Sequence, residues 1–373
     1  MPRSPFHDAE AALGAIVAER SGWLMPSRFA DLAAELDQAR RHGAIVDLSH
    51  WSKLKISGPD ALDFVHNYTT QDVKALAEGA GLQTAVTTWK GTMVDHVFLY
   101  RLDDGLRMIG HAGTAPRLRG ALEKFLIGAD VELADLTAER GMLYVFGPHA
   151  AALLEEAAGE PLADLPMHAF RLVALGGADA MVARTWPIAG AGFMVLVPAE
   201  QAAEAFAAIR STATVDRSVP CIGEEAFEVL RVEAGVPAYP AEINEERNPW
   251  EVRLADSVSM RKGCYLGQEV IARLVNYQKV QRHLVGLSLP LPPPVGSDLL
   301  DAEGKVIGRI TSVAPDPGAP RVMALGFLKP EWAVAGRQVR VMAGETPLEA
   351  EVRDLPFWQE LPGGGVAPRR DAQ

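Results

Sequence analysis

Residues 81–110, GLQTAVTTWKGTMVDHVFLYRLDDGLRMIG, decide the fold class. The runs LQTAVTT, MVDHVFLYRL and LRMIG are rich in β-branched and aromatic residues, and turn residues Trp89-Lys90-Gly91 and Asp103-Asp104-Gly105 separate them. That punctuation reads as three successive strands joined by tight turns. Upstream, Leu13, Ile16 and Val17, then Phe29, Leu32 and Leu36, recur at helical spacing and predict helices over 8–20 and 28–40. AIVDLS at 44–49 and KLKISG at 53–58 read as strands, and Gly58-Pro59-Asp60 opens a helix carrying Leu62, Val65 and Tyr68.

Downstream, a helix over 114–127 precedes strands near 130–135 and 141–146. Helices near 147–158, 198–210 and 222–233 then mix with strands near 170–174, 180–185 and 192–197. The alternation lacks the regular βα rhythm of a doubly wound sheet, so the class is α+β. At 289–299, LPLPPPVGSDL, successive prolines forbid helix and central strand. Beyond it KVIGRITSV, RVMALGFL, RQVRVMA and LEAEVRDL predict a small all-β domain, sandwich or barrel. The expected division is 1–140, 141–282 with the cysteine motif, 283–361 as the β domain, and 362–373 as a Gly/Pro/Arg-rich tail.

A chain of 373 residues exceeds one compact core, since domains run ~100–200 residues. The net charge of −12 is spread without long single-sign runs, which argues against nucleic-acid backbones and anionic membranes as partners. The two cysteines, Cys221 and Cys264, form no CxxC, and no segment reads as a signal peptide or a membrane helix, so a reduced cytoplasmic protein without a metal motif is expected.

Three groups could carry chemistry. In Arg261-Lys262-Gly263-Cys264-Tyr265-Leu266-Gly267-Gln268-Glu269, two cations would favour a Cys264 thiolate, glycines admit a ligand, and Tyr265 offers a π-face. The plainer alternative is a basic turn with an ordinary buried thiol. Asp95 shares a predicted strand face with Met93 and Val97, opposite Val94, His96 and Phe98, and there it could hold an amine or take its proton. It could equally be a carboxylate satisfied by a nearby backbone N–H. In LRVEAGVPAYPAEINEERNPWE, Arg231 and Glu233 precede Tyr239, Glu242 and Glu251. Arg231 could fork onto a ligand carboxylate or carbonyl, or form an internal Arg–Glu pair. No Ser/His/Asp order, P-loop or dinucleotide fingerprint supports a hydrolase, NTPase or dehydrogenase.

These same stretches carry a resemblance. HDAEAALGAIVAERSGWLMPSRF, HGAIVDLSHWSKLKISGPDALDFVHNYTTQDV, TWKGTMVDHVFLYRL, LRVEAGVPAY, NPWE and GRITSV…ALGFLKPEW resemble successive parts of glycine-cleavage T-proteins. The resemblance implies a three-domain cloverleaf ending in a β-barrel, with tetrahydrofolate in a central cavity. It also implies a catalytic role for Asp95 and folate contacts from Asp95, Arg231 and Tyr239. Two departures matter. Ala191, in Ile188-Ala189-Gly190-Ala191-Gly192-Phe193, stands where T-proteins hold the pterin with a glutamate, a loss of about 1–3 kcal/mol. The segment Lys262-Gly263-Cys264-Tyr265-x-Gly267-Gln268-Glu269 looks instead like the signature of YgfZ-type folate-binding proteins, which help assemble or repair iron–sulfur enzymes. It adds Cys264 as a second catalytic candidate and Lys262 and Tyr265 as cofactor contacts. The implied function is a folate-dependent factor for iron–sulfur proteins. The alternative is a folate-dependent one-carbon transferase, an aminomethyltransferase or demethylase served by a lipoyl carrier protein.

Overall fold

The structure, a computed structural model, describes residues 1–185, 188, 192–212, 219–277, 279–343 and 346–357. The chain opens with α1 (His7–Ala12), the hairpin β1 (Ile16–Arg20) and β2 (Trp23–Arg28), then α2 (Leu32–His42) and β3 (Ala44–Asp47). It continues through β4 (Trp51–Ser57), α3 (Ala61–Tyr68), β5 (Gly81–Thr87), β6 (Met93–Leu102), β7 (Gly105–Ala112), α4 (Ala115–Glu123) and β8 (Glu132–Asp135). Next come β9 (Arg140–Phe146), α5 (Ala150–Ala158), β10 (Phe170–Leu175), β11 (Ala178–Thr185) and β12 (Gly192–Pro198). Helices α6 (Ala202–Ser211), α7 (Glu224–Glu233) and α8 (Gln268–Asn276) follow. The last strands are β13 (His283–Leu289), β14 (Asp298–Leu300), β15 (Val306–Ala314), β16 (Val322–Leu328), β17 (Gln338–Ala343) and β18 (Thr346–Arg353).

The strands build two five-stranded antiparallel sheets, ordered β5-β6-β7-β4-β8 and β10-β11-β12-β9-β3, and a closed barrel β13-β16-β15-β14-β17-β18. Closure removes the edges that short all-β domains must otherwise protect. The class is therefore α+β with a C-terminal six-stranded barrel. At the junction a single apolar cluster takes Met93 and Tyr100 from β6, Tyr144 from β9, Leu230 from α7, and Leu284, Leu325 and Phe327 from the barrel.

Two sequence expectations change here. The predicted helix over 8–20 is a short helix followed by a hairpin. Leu13, Ile16 and Val17, which supplied the helical spacing, are all exposed, so no core selects a helix there. The linear division at 140 is also crossed. Strand β3 pairs with β9 at the edge of the second sheet, and Phe6 and Ile45 pack into that sheet's core. Among the described residues no helix is long and apolar enough to cross a membrane.

Candidate functional site

Asp95 lies on β6 next to a β-bulge. Opposite it on β5 stands Val86, while Thr87 faces Met93, so Val94 is the extra residue. The bulge turns Met93 into the central core and Val94 into the core under α4, which also holds Val97. The common face expected for Met93, Asp95 and Val97 is corrected accordingly, because alternation fails across an inserted residue.

The Asp95 carboxylate is fully buried and accepts four hydrogen bonds. Oδ1 accepts from the His96 amide at 2.8 Å and pairs with His111 Nδ1 at 2.6 Å. Oδ2 accepts from the His111 amide at 3.0 Å and the Thr114 hydroxyl at 2.6 Å. Burial pushes this carboxyl up. Attraction to the His111 ring, which is positive when doubly protonated, and the hydrogen bonds from His111 and Thr114 outweigh it and hold Asp95 below the usual carboxylate range. Gly110 makes the approach possible, since a Cβ there would sit 2.6 Å from Oδ2. The His111 ring stacks on Trp51, with centroids 5.3 Å apart and 30° between planes, and its Nε2 has no hydrogen-bond partner among the described residues. His96 turns the other way, its Nε2 2.8 Å from the Ser257 hydroxyl. The sequence reading passed over His111, Thr114 and Trp51.

Tyr239 and Trp51 are both half-buried against the central cluster. The Arg117 guanidinium lies 5.6 Å from the centre of the Tyr239 ring. It also reaches the carbonyl of Val94, beside Asp95, at 3.3 Å and Glu245 at 2.7 Å. Tyr239 thus stands within one side chain of the Asp95 strand.

The structure places Arg231 in the internal Arg–Glu pairing that the sequence left as its alternative. Its five N–H donors are taken by both oxygens of Glu228, the Val236 carbonyl, Glu242 and the Ser312 hydroxyl. A ligand contact would require it to release one of these, and as placed it clamps α7 to β15. Glu233 is paired with Arg40 of α2, and Glu251 accepts from the Asn248 amide.

The cysteine motif divides as well. Lys262 donates to the carbonyls of His66, Thr69 and Gln71, closing the end of α3, and burial pulls its amine down to about 8. A contact from Lys262 to a ligand or to Cys264 would require its ammonium to leave these three carbonyls. Tyr265 packs with Val258 and Ile271, its ring 5.0 Å from the Lys262 ammonium, and its hydroxyl is pushed up to about 12 by burial. That buries the π-face expected to meet a cofactor. Cys264 is exposed. Gly267, with φ +85°, sets its backbone against the β5–β6 turn, where a Cβ would lie 2.5 Å from the Thr88 carbonyl. Cys221 packs beside the second sheet's core, its thiol pushed up to about 12 by burial.

Two further features bear on a ligand. The Nδ1 of His168 completes no hydrogen bond among the described residues, and the buried hydroxyls of Tyr100 and Thr185 face each other without a further partner there. A cavity of about 570 Å³ opens between the β5–β6 turn and α4, lined by Trp89, Lys90, Arg117, Lys124, Phe125 and Leu266 among others. It lies beside the Asp95 strand rather than inside the central cluster. Ala191 lies outside the described residues.

Comparison with known proteins agrees along the length of the chain. The family described as GCVT N-terminal domain matches residues 6–262, and the Glycine cleavage T-protein C-terminal barrel domain matches residues 282–359. An aminomethyltransferase of Natranaerobius thermophilus is 28% identical over 96% of this chain and 98% of its own. One from Geobacillus kaustophilus is 30% identical over 96% and 99%. A putative chloroplastic transferase of Arabidopsis thaliana is 29% identical over 83% of this chain and 70% of its own. The crystal structure of the glycine cleavage system aminomethyltransferase T from Bartonella henselae superposes with a TM-score of 0.86 at 24% identity, covering 98% of this chain and 99% of that one, and so shares the fold. Neither domain match nor these relatives speak for the YgfZ-type branch; what they establish is that the chain belongs to the glycine cleavage T-protein family.

Proposed function

We propose that this protein is a tetrahydrofolate-dependent one-carbon transferase of the aminomethyltransferase kind, with a lipoyl carrier protein as the donor's bearer. The observation that carries the reading is the ionised, four-fold bonded Asp95 behind the His111–Trp51 pair, on the strand that resembles the T-protein's catalytic segment. The residues present suit a reduced folate. Trp51 and Tyr239 offer flat apolar faces for a heterocycle. Folate would supply the amine that receives the one-carbon unit. Asp95 and Thr114 would hold the strand ends rigid around it, and the buried central cluster would exclude water.

Titration with tetrahydrofolate tests this. Binding heat is expected, and at a hundred times the dissociation constant the fold should gain about 2.7 kcal/mol. No heat and no thermal stabilisation would overturn the reading.

A second reading, a folate-dependent factor for iron–sulfur enzymes, draws on one observation, the exposure of Cys264 in the loop entering α8. Iodoacetamide should then label Cys264 in the native protein faster than Cys221, which is half-buried with its thiol pushed up by desolvation. Cys264→Ser should lose rescue of iron–sulfur enzymes in cells lacking such a factor. Full rescue by Cys264→Ser would remove this reading.

A further inference from the structure

Asp95 faces a problem of access. A carboxylate has about four lone-pair sites, and all four are engaged by His96, His111 and Thr114 in a group with no exposed surface. It cannot touch a substrate without giving up a buried hydrogen bond. His111 has no such obstacle. One ring nitrogen is bound to Asp95, and the other, at the opposite edge, is unpartnered in a ring held flat against Trp51.

We infer that His111, rather than Asp95, is the group that meets the substrate, with Asp95 as its positioning residue and Thr114 as the support of Asp95. The inference rests on the transferase reading and deepens it. An ionised carboxylate only accepts, so the 2.6 Å contact requires the proton on Nδ1 of His111. In the neutral ring that tautomer leaves Nε2, which no described residue binds, with a lone pair that can act as a base. The acceptor amine can then give its proton to Nε2 as its own lone pair forms the new N–C bond. The bond between that carbon and its leaving heteroatom breaks, and the heteroatom departs with the electron pair and receives the proton back from Nε2. His111 ends as it began, and Asp95 stabilises the imidazolium in between. General acid–base catalysis of this kind contributes about 10²–10⁴-fold.

The test uses the full chain and the variants His111→Asn, His111→Ala and Asp95→Asn. Three readouts are needed: transfer from an aminomethyl-lipoyl carrier protein to tetrahydrofolate, folate affinity by calorimetry, and nitrogen-15 spectra of the His111 ring. Both His111→Asn and Asp95→Asn should slow transfer by about 10²–10⁴-fold while folate affinity stays within about threefold. The unmodified protein should show the Nδ1-protonated ring, and Asp95→Asn should lose that fixed tautomer. Added imidazole should restore part of the rate to His111→Ala and none to Asp95→Asn. Transfer within about threefold of normal in His111→Asn, with Asp95→Asn inactive, overturns the inference and returns the role to Asp95. Loss of folate affinity in both variants also overturns it, making the pair a binding element. An unmodified protein that neither binds folate nor transfers overturns the transferase reading itself, and the inference with it.

Discussion

Arg231→Met is expected to destabilise the protein by about 3–5 kcal/mol, the usual cost of removing one partner from a buried charge network. The guanidinium is fully buried and links three parts of the chain. It holds Glu228 on its own helix, the Val236 carbonyl and Glu242 in the following loop, and Ser312 on β15 of the barrel. Methionine fills much of the volume but leaves Glu242, which has no exposed surface, with the Ala238 amide and the Ser312 hydroxyl as its donors among the described residues. Glu228 is half exposed and turns to water at little cost. The penalty therefore resides in Glu242, and Arg231→Met combined with Glu242→Gln should recover at least about 1 kcal/mol through coupling. Urea unfolding of the single and double variants measures this. A loss below about 1 kcal/mol in Arg231→Met, accompanied by loss of folate affinity, would restore Arg231 to the ligand-contact role that the family resemblance implies.

Arg231 also marks where sequence reading stops. Glu228 and Glu242 are near enough in sequence for an Arg–Glu pair to be weighed, but Ser312 lies 81 positions away and no local pattern announces it. The strands around the Asp103-Asp104 turn were legible because turn chemistry and β-branched runs are local. His111 was legible by the same means and was missed. Leu102 pairs with Gly105 across that two-residue turn, and the ladder continues to Phe98 opposite Ile109. Counting two residues further puts His111 across from His96, one position from Asp95. Helix α8 carried a fainter signal. Val270, Ile271, Leu274 and Val275 have helical spacing, yet only Ile271 among the helix's residues is buried. Trp51 and Tyr239 reach the central core from chain segments far apart, and such non-local contacts leave no periodic trace.

Glu10→Gln should stabilise the protein near neutral pH, an unusual sign for a change at a buried site. Glu10 on α1 adjoins Asp47 on β3, and both side chains are almost wholly buried. Asp47 spends Oδ1 on the Ser49 amide and hydroxyl and also draws on the Ser4 hydroxyl, while Asp47 Oδ2 and Glu10 Oε2 complete no well-formed hydrogen bond among the described residues. A proton on Glu10 supplies the missing donor. Burial, then the charge of Asp47 and the hydrogen bond to it, pushes the Glu10 carboxyl up to about 10. In the unfolded chain it titrates near 4.5, so the folded state holds a proton that the unfolded state has released between those values. Stability from this group is whole below pH 4.5 and falls as pH rises toward 10. By pH 7 about 3 kcal/mol has gone, an upper figure because Asp47 is raised too. Other groups face the same carboxyls. His50 lies close enough to lower Asp47. Lys53 donates to the Ser49 and Trp51 carbonyls and is pulled down to about 7 by burial, against the charge of Asp47. Lys53 has the opposite slope, its cost easing from pH 7 towards 10.5, but it is present in both proteins and cancels to first order in their difference. Glutamine donates to Asp47 at every pH and has nothing to lose. Denaturant unfolding should find the two proteins nearly equal at pH 4.5 and Glu10→Gln ahead by about 1–3 kcal/mol at pH 7, the gap widening towards pH 8. A difference that does not change with pH would mean that Glu10 is ionised in the fold, and the shared proton would have to be abandoned.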